Sequence, residues 1–385
     1  MKPGRAAATF VVYGAGFLQG AAFVLIPALG KIFSQPPYHF GHVAYGLLYL
    51  PETVGAIAAA LAAGFVETRL GVRGVFRTGV AINAVAMGLL TGTFFAGARI
   101  AYGLALAESL CLGAGFGLTL AAANEYAGRL YGNTAVTAVT LLNALIGAAT
   151  AVSPLILQAF WARAGWGWWP AVLGAAFLLS AIGPLPDVAQ PRRDGTSLRR
   201  DMLPFLLAAL VYAICEGSFG SWADLYVTVD RGQSARYGAL ALSAFWGAMT
   251  LFRVFFSAVP ERWISRRTLY LAAPIAMATC FATLPFLHGH ASLIAVFGVA
   301  GAACSIYYPF TMAFGLSAYP QAQTRIAGLV VAGLMAGEGI GSFGLGPLQG
   351  VLKLSRIYLF STAWIIPLIA LAWIVARDTR SRQRA

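Results

Sequence analysis

The chain has 385 residues, of which 59% are hydrophobic and 10% charged, where an ordinary soluble domain carries roughly 45–50% and about 25%. That balance, with a mean hydropathy of +0.75, excludes a water-soluble fold. Continuous apolar runs of about twenty residues also exclude an outer-membrane barrel, whose strands alternate in polarity over about ten. The formal charge of +13 would suit nucleic acid, but in a membrane chain basic residues record orientation, so no nucleic-acid partner is expected.

Breaks at glycine, proline and charge clusters divide the sequence into apolar spans. In the first half they fall near residues 8–30, 42–66, 74–96, 99–125, 134–160 and 167–186. In the second half they fall near 203–228, 237–259, 267–287, 290–317, 324–350 and 355–377. The expected fold class is an all-α membrane protein of twelve transmembrane helices. Residues 1–186 form an N-terminal six-helix bundle, 187–202 a cytoplasmic linker carrying Arg192, Arg193, Arg199 and Arg200, and 203–385 a C-terminal six-helix bundle. Lys2 and Arg5 precede a run long enough to stay as a first span rather than leave as a signal sequence. The four cysteines, Cys111, Cys215, Cys280 and Cys304, lie inside apolar runs without metal-site spacing. No cofactor is expected.

With both termini in the cytoplasm, eighteen of the 26 Lys and Arg fall in inside segments, seven fall outside, and Arg253 sits within a span. This asymmetry points to a multi-pass protein of the inner membrane with both termini cytoplasmic. Three landmarks recur at an offset of 193: Arg69 and Arg73 with Arg262 and Arg266, Tyr126 with Tyr319, and Pro154-Leu155 with Pro347-Leu348. A duplication of six spans follows. Arginines at i and i+4 share a face of a helical turn and can brace carbonyl ends, so Arg69, Arg73, Arg262 and Arg266 are candidate gating residues. Retention of positive charge inside is the plainer account of the same residues.

The segment Gly64-Phe65-Val66-Glu67-Thr68-Arg69-Leu70-Gly71-Val72-Arg73 resembles the loop signature of the major facilitator superfamily, Gly-x-Leu-x-Asp-Arg-x-Gly-Arg-Arg. Thr68 stands at the usual Asp and Val72 at the first closing basic position. The resemblance implies that superfamily's rocker-switch fold, with a central cavity between two halves. Within it, Ala121-Ala122-Ala123-Asn124, the stretch from Asn143 through Gly147 to Pro154, and Tyr212 to Trp222 are similar to the fucose permease group. That group's acid before the Asn is Leu120 here, so its proton site does not carry over. A drug-exporter motif would follow Pro154 with paired glycines, where Leu155-Ile156-Leu157-Gln158 stands instead.

Ionisable groups inside the bilayer cost several kcal/mol, roughly 2.5–3.5 on the insertion scale, and so mark function. Glu216, Glu338, Glu52 and Glu108 fall near mid-depth and Asp224 in the outer third of its span. They are the candidate proton-coupling residues, because a carboxyl in hydrocarbon favours its neutral form. A buried acid bonded to a neighbouring helix is the structural alternative for each. Asn143, Tyr212, Trp222, Trp246, Tyr307 and Tyr308 are candidate solute contacts, offering an amide and an aromatic platform for a sugar ring. Arg253 could pair with an acid or an anionic solute, or simply snorkel to the cytoplasmic surface.

The expected activity is secondary transport of a small organic, sugar-like solute by alternating access, coupled to protons, by a monomer in a lipid bilayer. A proton-driven efflux pump for drugs, siderophores or metabolites is the alternative. The chain is not expected to be an enzyme, since it has no Gly-x-Ser-x-Gly, no nucleotide loop and no His/Asp cluster. Green fluorescent protein fused after Ala385 is expected to fluoresce, and alkaline phosphatase at the same place to stay inactive. The opposite pattern would reverse the assigned orientation.

Overall fold

Hydrocarbon offers a peptide group no hydrogen bond, so a chain of this composition must satisfy its backbone internally. The computed structural model describes residues 3–131, 135–186, 200–258, 263–319 and 323–384, and no strand occurs among them. Ten helices among the described residues are long and apolar enough to cross a bilayer, and Trp168–Ile182 is a shorter apolar helix. The chain divides into two compact units, Met1–Pro191 and Arg192–Ala385. Most of the expected linker, residues 187–199, lies outside the described residues. Its end, Arg200–Met202, is a 3-10 turn.

The first unit begins with α1 (Pro3–Phe23), α2 (Leu25–Ala28) and α3 (Gly30–Ser34), interrupted at Val24 and Leu29. Then come α4 (His42–Leu47), α5 (Tyr49–Phe95), α6 (Ala98–Tyr131), α7 (Ala135–Arg163) and α8 (Trp168–Ile182). Between α3 and α4 the chain folds inward: Tyr38 is buried against Phe33, Phe40 and Trp166. Burial pushes its phenol above the ordinary value, against a smaller downward pull from its bond to Trp166.

The loop expected between the second and third spans is not open. Helix α5 runs through it, and Gly71 alone leaves helical geometry, at φ 67° and ψ 172°. That conformation is nearly closed to residues with a Cβ, so one glycine turns the chain where the sequence suggested a longer loop. The break also undoes the shared face expected of Arg69 and Arg73, because the i, i+4 relation needs an unbroken turn. Arg69 is exposed, with its guanidinium 4.4 Å from the centre of its neighbour Phe65's ring. The arginine that does meet a helix end in this unit is Arg77, whose Nη2 donates to Gly183 O, the C-cap of α8, at 3.3 Å.

The second unit contains α9 (Leu203–Leu225), which continues as a π-turn over Tyr226–Asp230, then α10 (Ala235–Ala258), α11 (Arg266–Thr283) and α12 (His290–Ala318). It ends with α13 (Gln323–Leu348), α14 (Leu354–Ser361) and α15 (Ile365–Arg384). Arg262 lies outside the described residues. Arg266 is the first residue of α11, at the end where amides rather than carbonyls are left over, so it does not brace the carbonyls of its own helix.

The units share a pairing pattern. Helix α1 packs on α7, the early part of α5 on α6, and α5 on α8; in the second unit α9 packs on α13, α10 on α12, and α11 on α14 and α15. The repeated tyrosines also play similar parts. Tyr126 donates to Pro186 O at 3.0 Å and Tyr319 to Asp201 O at 2.7 Å, each tying a helix end to the chain beside the interval 187–199. The α1–α7 contact is stitched by Thr150 Oγ1 to Gly20 O at 3.0 Å and Ser153 Oγ to Ala21 O at 2.8 Å.

The α9–α13 contact is closer still. Gly333, Gly337 and Gly341 of α13, four residues apart, lie on the carbonyls of Leu206, Leu210 and Ile214, also four apart, with no room for a Cβ. In lipid, where burying apolar side chains drives helices together weakly, such backbone proximity supplies the packing attraction. Gly337→Ala is expected to destabilise the chain by ~1–3 kcal/mol through overpacking, read as a lower midpoint of thermal unfolding in detergent. Gly344→Ala, on the same helix with open space at its Cβ, is expected to leave that midpoint unchanged.

Candidate functional site

Helix α9 is buried on every side from Val211 to its end, and the π-turn stays buried to Thr228. A helix enclosed in this way is normally apolar all round, yet this one carries Glu216, Ser218, Ser221 and Asp224. Each must find its partners inside the protein. Ser218 bonds back to Ile214 O at 2.6 Å, and Ser221 pairs with Ser342 at 2.6 Å. Tyr358 of α14 donates to Ser218 O at 3.1 Å.

Tyr212 donates its hydroxyl proton to Cys304 O at 2.7 Å. Glu216, one turn further, lies near the same hydroxyl without a hydrogen bond to it and within electrostatic reach of Arg253 on α10. The tyrosine has one proton and has given it to Cys304. A bond between Glu216 and Tyr212 Oη therefore needs the proton to come from a neutral Glu216. Arg253 is held by Nε donating to Ser305 O at 3.2 Å. Tyr308, half-buried, lies within electrostatic reach of both Arg253 and Glu216. Glu338 of α13 places its carboxyl over Gly217, and like Glu216 it lies within electrostatic reach of Cys304. The structure thus brings Tyr212, Glu216, Tyr308 and Glu338 into one region together with Arg253. The arginine lies within electrostatic reach of the Glu216 carboxyl.

The other candidates are placed elsewhere. Asp224 packs against Gly238 in the first turn of α10, where helix amides favour an anion. Trp222 is fully enclosed and donates Nε1 to Ser342 O at 2.9 Å. Tyr307 is stacked between Tyr212 at 5.2 Å and Tyr270 at 4.4 Å, with its hydroxyl on Leu368 O at 3.2 Å. The aromatic candidates therefore do not form one platform, because buried indoles and phenols spend their polar atoms on backbone carbonyls. Trp246, half-buried against Gly220, and Tyr308 are the rings not enclosed.

In the first unit, Glu52 and Glu108 lie within electrostatic reach of each other. Glu108 is fully buried, its Oε2 accepting from Ser109 at 3.4 Å and its Oε1 without a partner among the described residues. Asn143 turns its amide back onto Val139 O of its own helix at 2.9 Å. A cluster that charge-based reading missed lies nearby in the fold: Asn83 Nδ2 donates to Gln19 Oε1 and, at 3.2 Å, to Thr119 Oγ1, all three residues being buried. The signal was available, since Gln19 precedes Tyr212 by the repeat offset of 193.

The family model of the Major Facilitator Superfamily matches residues 6–342. No curated protein matches the sequence. Among solved structures, the nucleoside transporter NupG is similar at a TM-score of 0.74 and 15% identity, with 96% of this chain and 99% of that one covered. The D-xylose-proton symporter is similar at 0.73 and 16%, with 96% of each covered. The E. coli fucose:proton symporter FucP is similar at 0.64 and 17%, with 97% and 98% covered. At these identities the likeness concerns the fold.

Tyr212→Phe keeps the ring stack but removes the side-chain hydrogen bond to Cys304 O. It is expected to cost ~1 kcal/mol in thermal or denaturant unfolding. Tyr308→Phe, whose hydroxyl makes no hydrogen bond among the described residues, is expected to cost nothing measurable.

Proposed function

We propose, from the premise that the chain belongs to the major facilitator superfamily, that it couples proton movement to transport of a small sugar-like solute by alternating access. Membership makes the chain a membrane transporter rather than an enzyme. Its finer organisation is read as twelve spans in two bundles of six joined at 187–202. The ten long apolar helices, the short α8, and α4 with the part of α5 before Gly71 support that number. The basic loops support an inner-membrane location with both termini cytoplasmic, and a monomer suffices for the mechanism. A sugar-like solute and symport are supported by the descriptions of the similar structures, a nucleoside transporter and two sugar–proton symporters.

The observation that carries the proton coupling is Glu216. Ionised, its carboxylate is attracted to Arg253; neutral, it can donate to Tyr212, whose own proton goes to Cys304. The two protonation states therefore have different partners on different helices, which is what a group needs if proton binding is to bias a conformational equilibrium. Glu338 beside it, and the Glu52–Glu108 pair of the first unit, are further proton-coupling groups in this reading, with Asp224 in a structural role. Trp246 and Tyr308 are the aromatic solute contacts, with Asn143 contributing its free amide oxygen. Arg69, Arg73, Arg262 and Arg266 serve chiefly to hold positive charge on the cytoplasmic side.

Proteoliposomes containing the chain are expected to accumulate D-xylose or a related pentose when a pH gradient is imposed, and to stop when it is collapsed. Glu216→Gln is expected to abolish accumulation while sparing solute exchange at equal pH. Accumulation that ignores the gradient, together with a fully active Glu216→Gln, would remove proton coupling at this residue.

A further inference from the structure

Arg253 continues a stripe on α10 formed by Leu242, Trp246 and Met249, at helical spacings of four, three and four residues, with Leu242 and Met249 buried. The opposite side of the helix, at Leu251 and Phe255, is exposed. The guanidinium is thus aimed at α9 and α12 rather than at lipid. Its one hydrogen bond runs from Nε to Ser305 O. Among the described residues neither Nη has a hydrogen-bond partner and no carboxylate lies within ion-pair distance. Neither Nη is among the buried polar atoms that lack a partner, so the two open donors face accessible space inside the span, where a ligand can meet them.

Glu216 completes only its charge. The carboxyl lies within electrostatic reach of Arg253 but forms no direct bond with it. The titratable groups around Glu216 are Tyr212 and Cys215 on its own helix, Arg253 on α10, Cys304 and Tyr308 on α12, and Glu338 on α13. Arg253 is the one cation in that set. While Glu216 is ionised the two charges offset each other across the gap. Once Glu216 takes up a proton, Arg253 loses that compensating charge and keeps its fork of donors open.

We infer that the transported solute carries a carboxylate, that Arg253 binds it through its two Nη groups, and that it enters with the proton that neutralises Glu216. This rests on the proton-coupled reading of Glu216 given above. Guanidinium and carboxylate match bidentately, and one proton entering with one anion leaves the net charge of the unit unchanged. Tyr308, within electrostatic reach of the arginine, offers a phenol, and Trp246, two turns away on the same stripe of α10, offers a ring face to a pyranose. The solute class is therefore a sugar acid, in which a hydroxylated ring and one carboxylate are read by neighbouring groups.

The probes are D-glucuronate and D-xylose, pyranoses that differ only by the carboxylate on C5. Binding to the full-length purified chain is measured by calorimetry in mildly acidic and mildly alkaline buffer, in both of which the sugar acid stays ionised. D-glucuronate is expected to bind at least about tenfold more tightly than D-xylose, and more tightly in acid, where Glu216 is neutral. Arg253→Gln is expected to erase that preference. Arg253→Lys, which keeps a cation but not the fork, should retain part of it and serves if the glutamine variant does not fold.

The distinguishing variant is Glu216→Gln. It should bind D-glucuronate in both buffers as tightly as the unaltered chain does in acid, a gain that a merely structural role for Glu216 would not produce. Equal affinity for the two sugars, binding of neither, or loss of D-glucuronate binding in Glu216→Gln overturns the inference. If the two sugars bind equally while Glu216→Gln still abolishes gradient-driven accumulation of D-xylose, proton coupling stands and the anion site falls.

Discussion

Enclosing α9 within its own unit means that every polar group on it must be answered by another part of the same unit. The spacing of Gly333, Gly337 and Gly341 sets that enclosure, because it lets α13 lie directly on the carbonyl ladder of α9. Once water is excluded, Tyr212 turns to Cys304 O, Trp222 to Ser342 O and Ser221 to Ser342 Oγ. An unmet donor or acceptor there would cost about 1–3 kcal/mol. In the proposed coupling, Glu216 differs from these neighbours because its best partner depends on its own protonation state. A dry helix makes that difference large enough to matter, since charge interactions weaken with exposure to water.

The two units share a pairing of helices but not a set of polar groups. Gln19 and Tyr212 occupy matching positions, yet one joins an amide–hydroxyl cluster with Asn83 and Thr119 and the other a phenol–carbonyl–carboxyl cluster. Glu52 and Glu108 correspond by the same offset to Phe245 and Gly301, where the second unit has close helix packing and no charge. Backbone pairing persists through such divergence because it depends on small residues and carbonyl positions, whereas one substitution replaces the chemistry of a side chain.

The candidate residues show where one-dimensional reading stops. Acids in apolar runs were found because charge in hydrocarbon is costly wherever it points. Aromatic rings carry no such penalty, so their type alone did not separate Tyr307, sealed between two tyrosines, from half-buried Tyr308 next to it. Asn143 was selected as an amide at mid-depth, but the i−4 carbonyl of its own helix is always within reach and took one of its donors. Gln19 and Asn83 carry no charge to mark them along the chain, though burial makes their partners matter as much.

The helical membrane class and the superfamily were legible in the residues themselves. They depend on hydropathy summed along the chain and on a local signature, and neither needs knowledge of which helices touch. Even at the loop after the second span, where a single glycine took the place of an expected loop, the change of direction was marked by Gly71. The tertiary structure alone decided which polar groups meet. Arg253 and Glu216 are 37 residues apart in sequence, and whether the arginine faces lipid, water or that carboxyl depends on the rotation of α10 against α9 and α12. That rotation is set by packing across helices, which no local stretch of sequence contains.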